Sequence, residues 1–503
     1  MSVSRRSLLK VSGAAAIAGC SCALTACVST NAATGRSSFT GGFSPADDIR
    51  LGGEQHPKML EAFGGEYQHK KLQGYVDSLG RRLAQYTEYQ QFKYRFTLLN
   101  SPIVNAFALP GGYVYVSRGL LALASNEAEL AGVIAHELGH VNARHTAERL
   151  GAQRMAQFGV IASAIGASLL GLPANSVAQV GQTIATLAIK SYSREQELES
   201  DTLGVRYMSR AGYDPDAMAT FLGSLGEQSQ IEARAKGLAP GSVDQYNLMA
   251  THPRTIDRVR QAQSAAQTSR PRNARSARKE YLAMINGMLF GDDPAQGIIK
   301  GQQFIHPGML FTFEAPQGFR VQNTPEQVVA SDANGAALKF DIAPVRVAGQ
   351  GADYMSHYIA REWASKTRVL DLQPIHVNGM VGATARAVSN TQQGAMDVRF
   401  LALARDDKTA FRMLFISPQA RTASLSEVFR RSTYSMRRLS AEEARNVRAL
   451  TLRVRPARDG ERIEQLSKYL PYGALNGDWF RVLNDMPAGA QPVAKQILKV
   501  ITA

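Results

Sequence analysis

Cysteine is nearly absent from this chain. Its 503 residues include three, Cys20, Cys22 and Cys27, all within the first 27 positions. If cleavage precedes Cys27, no pair remains for an internal disulfide, which excludes a disulfide-stapled scaffold. Around these cysteines "SRRSLLK" (4–10) has the form of a twin-arginine export signal, and the apolar run from Val11 to Ala18 is too short to span a bilayer. "LTAC" (24–27) forms a lipobox, so Cys27 is the expected lipidation site, with "IAGC" and Cys20 as the other option. Val28 is not Asp, which by analogy with sorting rules favours the outer membrane. An envelope lipoprotein facing the periplasm and anchored to the membrane through its N-terminal lipid is expected. Acidic residues are also scarce: 42 against 57 basic ones, a net charge of +15. In a cytosolic protein that balance would raise nucleic acid; in an exported one it suits lipopolysaccharide, anionic lipid or peptidoglycan, and no nucleic-acid partner is expected. Internal repeats are missing, including any 34-residue helical-hairpin array.

What is present is concentrated in "AGVIAHELGHVNARH" (131–145). His136, Glu137 and His140 spell H-E-x-x-H inside an apolar stretch suited to a buried helix. Asn126 as N-cap and Glu129 at N3 supply a start signal. Residues four apart share a helical face, so both imidazoles can converge on one metal while Glu137 stands beside them as a base. This is the zinc metalloprotease pattern. A catalytic zinc needs a third protein ligand. His145 is five residues past His140 and on a continuing helix points off the metal face, so it reads as a surface or packing histidine. In "SYSREQELESDTLGVRYM" (191–208), Glu197 and Asp201 are four apart, with Arg194 placed to balance their charge. Glu197 suits a metal ligand and Asp201 a partner for the free N–H of a ligating histidine. Glu195 and Glu199 fall on other faces and read as solvated.

Four segments in order, "NAFALPGGYVYVSRGLL" (105–121), "HELGH" (136–140), "SREQELESD" (193–201) and "THPRTIDR" (251–258), resemble the M48 family of zinc endopeptidases over about residues 43 to 260. The resemblance implies one zinc per chain, held by His136, His140 and Glu197, with Asp201 behind them. It implies Glu137 as general base, and His252 acting on the oxyanion or at the open metal position. Substrates are then unfolded or misassembled envelope polypeptides. "YVYV" alternates like a strand after the turn at Pro110–Gly112, and Gly112, Tyr113, Val114 and Tyr115 are expected to offer a free edge to an extended peptide. The rival reading is a non-catalytic, metal-containing chaperone or peptidoglycan-binding adaptor, which would have no need of Glu137.

The expected fold is α+β. A mainly helical zincin-type metalloprotease domain with a small sheet (43–267) follows the signal peptide (1–27). A polar linker (268–280), an α+β accessory domain (281–440) and a short LysM-like, peptidoglycan-binding tail (450–503) come after it. Strands are expected at 309–316 and 337–345, a hairpin over 396–417 turning at Asp406 and Asp407, and a helix over 352–366. "MAQFGVIASAIGASLLGL" (155–172) reads as a buried or lid helix pair rather than a membrane span, since a span would force the two metal helices apart.

Overall fold

The computed structural model describes residues 28–153, 192–235, 252, 256–346, 352–391 and 394–503. The export signal, both candidate lipidation sites, the 155–172 run and Pro253 lie outside the described residues. An N-terminal hairpin, β1 (Val28–Thr30) and β2 (Ser37–Phe39), leads into helices α1 (Pro45–Ala62) and α2 (Lys70–Ala84). A small sheet follows: β3 (Arg95–Leu99), β4 (Ala106–Leu109) and β5 (Tyr113–Ser117). Helices α3 (Arg118–Leu123), α4 (Glu127–Ala143), α5 (Arg194–Arg210), α6 (Asp216–Ala235) and α7 (Ile256–Ser269) complete this part. The fold is mixed α+β, and among the described residues no helix is long and apolar enough to cross a membrane.

Every residue of α4 is buried. Its start is capped as expected: Asn126 accepts from the Glu129 N–H at 2.9 Å, and Glu129 accepts from the Ser125 N–H at 2.8 Å. α4 lies directly against α5, and glycine makes the approach possible. A Cβ on Gly139 would stand 2.8 Å from the Ser200 carbonyl oxygen, and one on Gly204 would stand 3.1 Å from the His136 nitrogen. With no side chain at either position the backbones close up, and the α5 carboxylates reach the α4 histidines.

The second half contains seven antiparallel strands in the order 320–323, 328–331, 337–344, 409–418, 394–404, 380–391, 370–377. Side-chain alternation divides its interior. Leu401 and Leu403 join one apolar cluster, while Phe400 and Ala402 join another with the helix Ala352–Tyr358. The hairpin turn is set by Asp406, whose carboxylate accepts from the Lys408 and Thr409 N–H groups at 2.9 and 2.8 Å.

The tail runs strand Leu450–Pro456, helix Ile463–Leu466, helix Asn476–Leu483, strand Ile497–Thr502, with the two strands antiparallel. Leu452, Trp479, Phe480 and Ile501 share one apolar core with Leu120, Leu130 and Leu138. Lys499 is buried there, and its Nζ donates to the carbonyls of Ala122, Leu123 and Ala124 at 2.8, 3.0 and 2.9 Å. An ammonium group has three N–H donors, and all three are used on the C-terminal end of α3, where a cation is favoured. Lys499→Met should leave these carbonyls without a donor and cost on the order of 3 kcal/mol. The check is a lower thermal midpoint; a midpoint equal to wild type would show that the cradle contributes nothing.

Candidate metal centre

His136 and His140 project from the same face of α4, and their Nε2 atoms are 3.0 Å apart. Glu197 enters from the first turn of α5, which is opened by a Ser193–Gln196 capping box. Its Oε1 is 3.4 Å from His140 Nε2, and its Oε2 is 3.5 Å from His136 Nε2. His252 brings Nδ1 to 3.2 Å from His136 Nε2 and 2.9 Å from Glu197 Oε1. One donor atom from each of these four buried residues lies within 4.8 Å of the others. Tetrahedral ligands about 2.0–2.2 Å from a zinc ion stand roughly 3.3–3.5 Å from one another, and the donor set has nearly that spacing. Three imidazoles and one carboxylate are also the donor types zinc prefers. The residues fit the ion.

Glu137 is 1 % exposed, its Oε1 accepts no hydrogen bond among the described residues, and that oxygen is 3.5 Å from His252 Nε2. Burial pushes its carboxyl up, and the charges of His252, His136 and Arg258 offset this only in part. Glu197 is the opposite case. Burial would raise it too, but the histidines around it hold it well below the usual carboxylate range. The two neighbouring carboxylates are therefore separated by environment: Glu137 is poised to take a proton, and Glu197 stays ionised. Beside Glu137 the cleft is walled by Val133 and by Met218, Phe221, Leu222 and Leu225.

Asp201 Oδ1 is 2.8 Å from His136 Nδ1. Its charge is balanced by Arg258, not by Arg194, which is exposed. Arg258 is buried on α7; its Nε and Nη2 donate to Asp201 at 2.7 and 2.8 Å, and its Nη1 is 2.6 Å from Glu197 Oε2. Arg258 closes the quoted "THPRTIDR" and is the third residue of α7, and nothing in that spacing distinguishes a buried arginine from a surface one.

Two further expectations are corrected. His145, expected as a surface or packing histidine pointing off the metal face, packs against a metal-side histidine. It is fully buried, with Nδ1 2.8 Å from His140 Nδ1 and Nε2 2.9 Å from Glu199 Oε2. The helix does not continue to it: Arg144 takes a left-handed conformation at φ 58°, pinned by Asp48 at 2.6 Å and the Phe43 carbonyl at 2.8 Å. That turn returns His145 to the metal side and draws Glu199 out of solvent. The second correction concerns Gly112, Tyr113, Val114 and Tyr115. β5 is the central strand of its sheet, parallel to β3 and antiparallel to β4, so Tyr113 to Tyr115 have no free edge. Nor is the outer edge of β3 open, because the Gln73 side chain bonds the Leu98 N–H and the Phe96 carbonyl at 2.7 and 2.8 Å. β4 is the other edge strand, and its Ala108 and Leu109 line a hollow shared with His140.

Residues 70–266 match the model of peptidase family M48. The chain carries an M48 peptidase domain. Peptidases of this family use zinc, in keeping with the donor set. Similar proteins include the beta-barrel assembly-enhancing protease of Escherichia coli (strain K12), 31 % identical over 309 residues, covering 58 % of this chain and 61 % of that one. The protein of the same name from Yersinia pestis is 30 % identical over 44 % of this chain and 45 % of its own. A mitochondrial metalloendopeptidase of Schizosaccharomyces pombe is 30 % identical over 37 % of this chain and 50 % of its own. This chain thus spans less than two thirds of the length of these relatives.

Proposed function

We propose that the protein is a zinc-dependent endopeptidase that cleaves misfolded or misassembled polypeptides of the bacterial cell envelope. The observation that carries the reading is Glu137, whose uncommitted carboxylate oxygen stands beside the four-residue donor set. Zinc bound by His136, His140 and Glu197 supplies Lewis acidity to the attacking water and the scissile carbonyl. Glu137 takes the proton from the water and later delivers it to the leaving amine. Asp201 holds a proton on His136 Nδ1, which keeps Nε2 free as a donor to the metal, and Arg258 keeps Asp201 ionised. His252 acts either as a donor to the oxyanion or as the occupant of the open position; its Nδ1 within the donor set favours the second role at rest.

The substrate backbone adds to β4, held by main-chain hydrogen bonds with little demand on its side chains. The envelope setting is supported by the N-terminal export pattern and by the beta-barrel assembly named for the Escherichia coli relative. Lipidation at Cys27, or at Cys20, would hold the protein at the outer membrane facing the periplasm. The strand–helix–helix–strand order of 450–503 supports a LysM-like contact with peptidoglycan. Boundaries near 267, 280 and 440 belong to the same proposal, with Tyr281, Leu282 and Ile285 packed in the core that the peptidase part shares with the tail.

Casein cleavage by the purified protein tests the activity. We expect cleavage that stops with a chelator and returns with zinc. Cleavage that persists through exhaustive chelation would rule out the metal mechanism, and a zinc-loaded protein that cleaves nothing would favour the chaperone or adaptor reading.

A further inference from the structure

The N-terminal hairpin reaches the metal centre through an unbroken series of polar contacts. His140 Nδ1 faces His145 Nδ1 at 2.8 Å, and His145 Nε2 faces Glu199 Oε2 at 2.9 Å. Arg36, in the turn between β1 and β2, donates to both oxygens of Glu199, from Nη2 at 3.1 Å and from Nε at 3.4 Å. Its Nη2 also donates to Glu148 at 2.6 Å. The hairpin is secured at other points: Asn31 Nδ2 donates to the Asn142 carbonyl at 2.9 Å, and Arg206 donates to the Ala33 carbonyl at 3.1 Å.

Donor and acceptor rules give this series one direction. An ionised carboxylate only accepts, so the proton of a neutral His145 sits on Nε2 and points at Glu199. Its Nδ1 is then a lone pair, and His140 must donate to it from Nδ1. With the His140 proton held there, its Nε2 lone pair is free for the ion. Asp201 is placed to do the same for His136 directly, 2.8 Å from its Nδ1; among the described residues His140 has no carboxylate at its own Nδ1, and a second ring stands there instead.

We propose that His145 and Glu199 are positioning residues that hold the His140 proton at Nδ1, and that Arg36 locks Glu199 in place, so that the hairpin after residue 27 is part of the metal-holding machinery. The inference rests on His140 being a zinc ligand. It connects the segment next to the expected lipid anchor with the tightness of the metal site.

The test uses the full chain loaded with zinc and measures affinity by competition with a chromogenic chelator, together with the thermal midpoint of the zinc-free protein. Glu199→Leu should weaken zinc by about 10- to 100-fold, the scale for partners of ligating histidines. Arg36 is half exposed, so its replacement does not disturb the core; Arg36→Ala should weaken zinc by about two- to fivefold, the scale of an exposed ion pair. Arg36→Lys should restore most of that loss, and midpoints should stay alike. Variants that hold zinc as tightly as wild type overturn the relay. Loss in Glu199→Leu but not in Arg36→Ala overturns the hairpin's part, and so does a lowered midpoint in Arg36→Ala that Arg36→Lys leaves unrepaired. A wild-type chain that takes up no zinc overturns the metal centre and the relay together.

Discussion

Glu137→Gln should retain zinc and the fold while losing peptide cleavage by at least ~10²-fold, the lower end of what a general base contributes. The retention follows from geometry. Among the described residues Glu137 is not one of the four clustered donors, and its Oε1 has no hydrogen bond to lose. A neutral amide of the same shape also relieves the burial that pushes the carboxyl up. The loss of activity follows from chemistry, because an amide cannot take the proton of the attacking water. Metal analysis and casein cleavage on one preparation check both halves. Cleavage at the wild-type rate would remove Glu137 from the mechanism, and loss of zinc would make it a structural residue of the site. The variant also offers a trap for substrates, whose recovery from envelope extracts would identify them.

Metal content should divide the four donor residues into two classes. His136→Ala, His140→Ala and Glu197→Ala each remove one of three protein ligands, and we expect zinc to fall from one per chain to a small fraction. Glu197 needs a second variant, since it also faces the buried Arg258. Glu197→Gln keeps the volume and the contact but withdraws the charge, and it should lose zinc while melting close to wild type. His252→Ala should keep zinc, because three ligands remain. Its kinetics then separate its two roles: lost turnover with an unchanged KM marks a donor to the transition state, and raised activity marks a resting occupant that must leave. Full zinc in Glu197→Ala would move the third-ligand assignment to another carboxylate.

The chemistry of the centre was legible because helical spacing is local. His136 with His140, and Glu197 with Asp201, are pairs four apart, and any α-helix brings such pairs to one face. The cap at Asn126 and Glu129, the strands of the second half and the turn at Asp406 are likewise short-range, set by periodicity and by side chains bonding their own neighbourhood. Other features depended on where chain segments meet. Whether β5 has a free edge is decided by β3 and β4 lying on either side of it, and its own alternation is the same in both cases. His145 turns inward because one arginine adopts a left-handed conformation held by Asp48, 96 positions earlier. Arg258 and Arg36 look like ordinary surface arginines in one dimension, and each acquires its role from a carboxylate on α5. The amino-acid sequence by itself determined which donors exist and which share a helical face. Tertiary structure alone decided which buried groups neutralise them and orient their protons, because charge compensation in a buried site depends on distance in space.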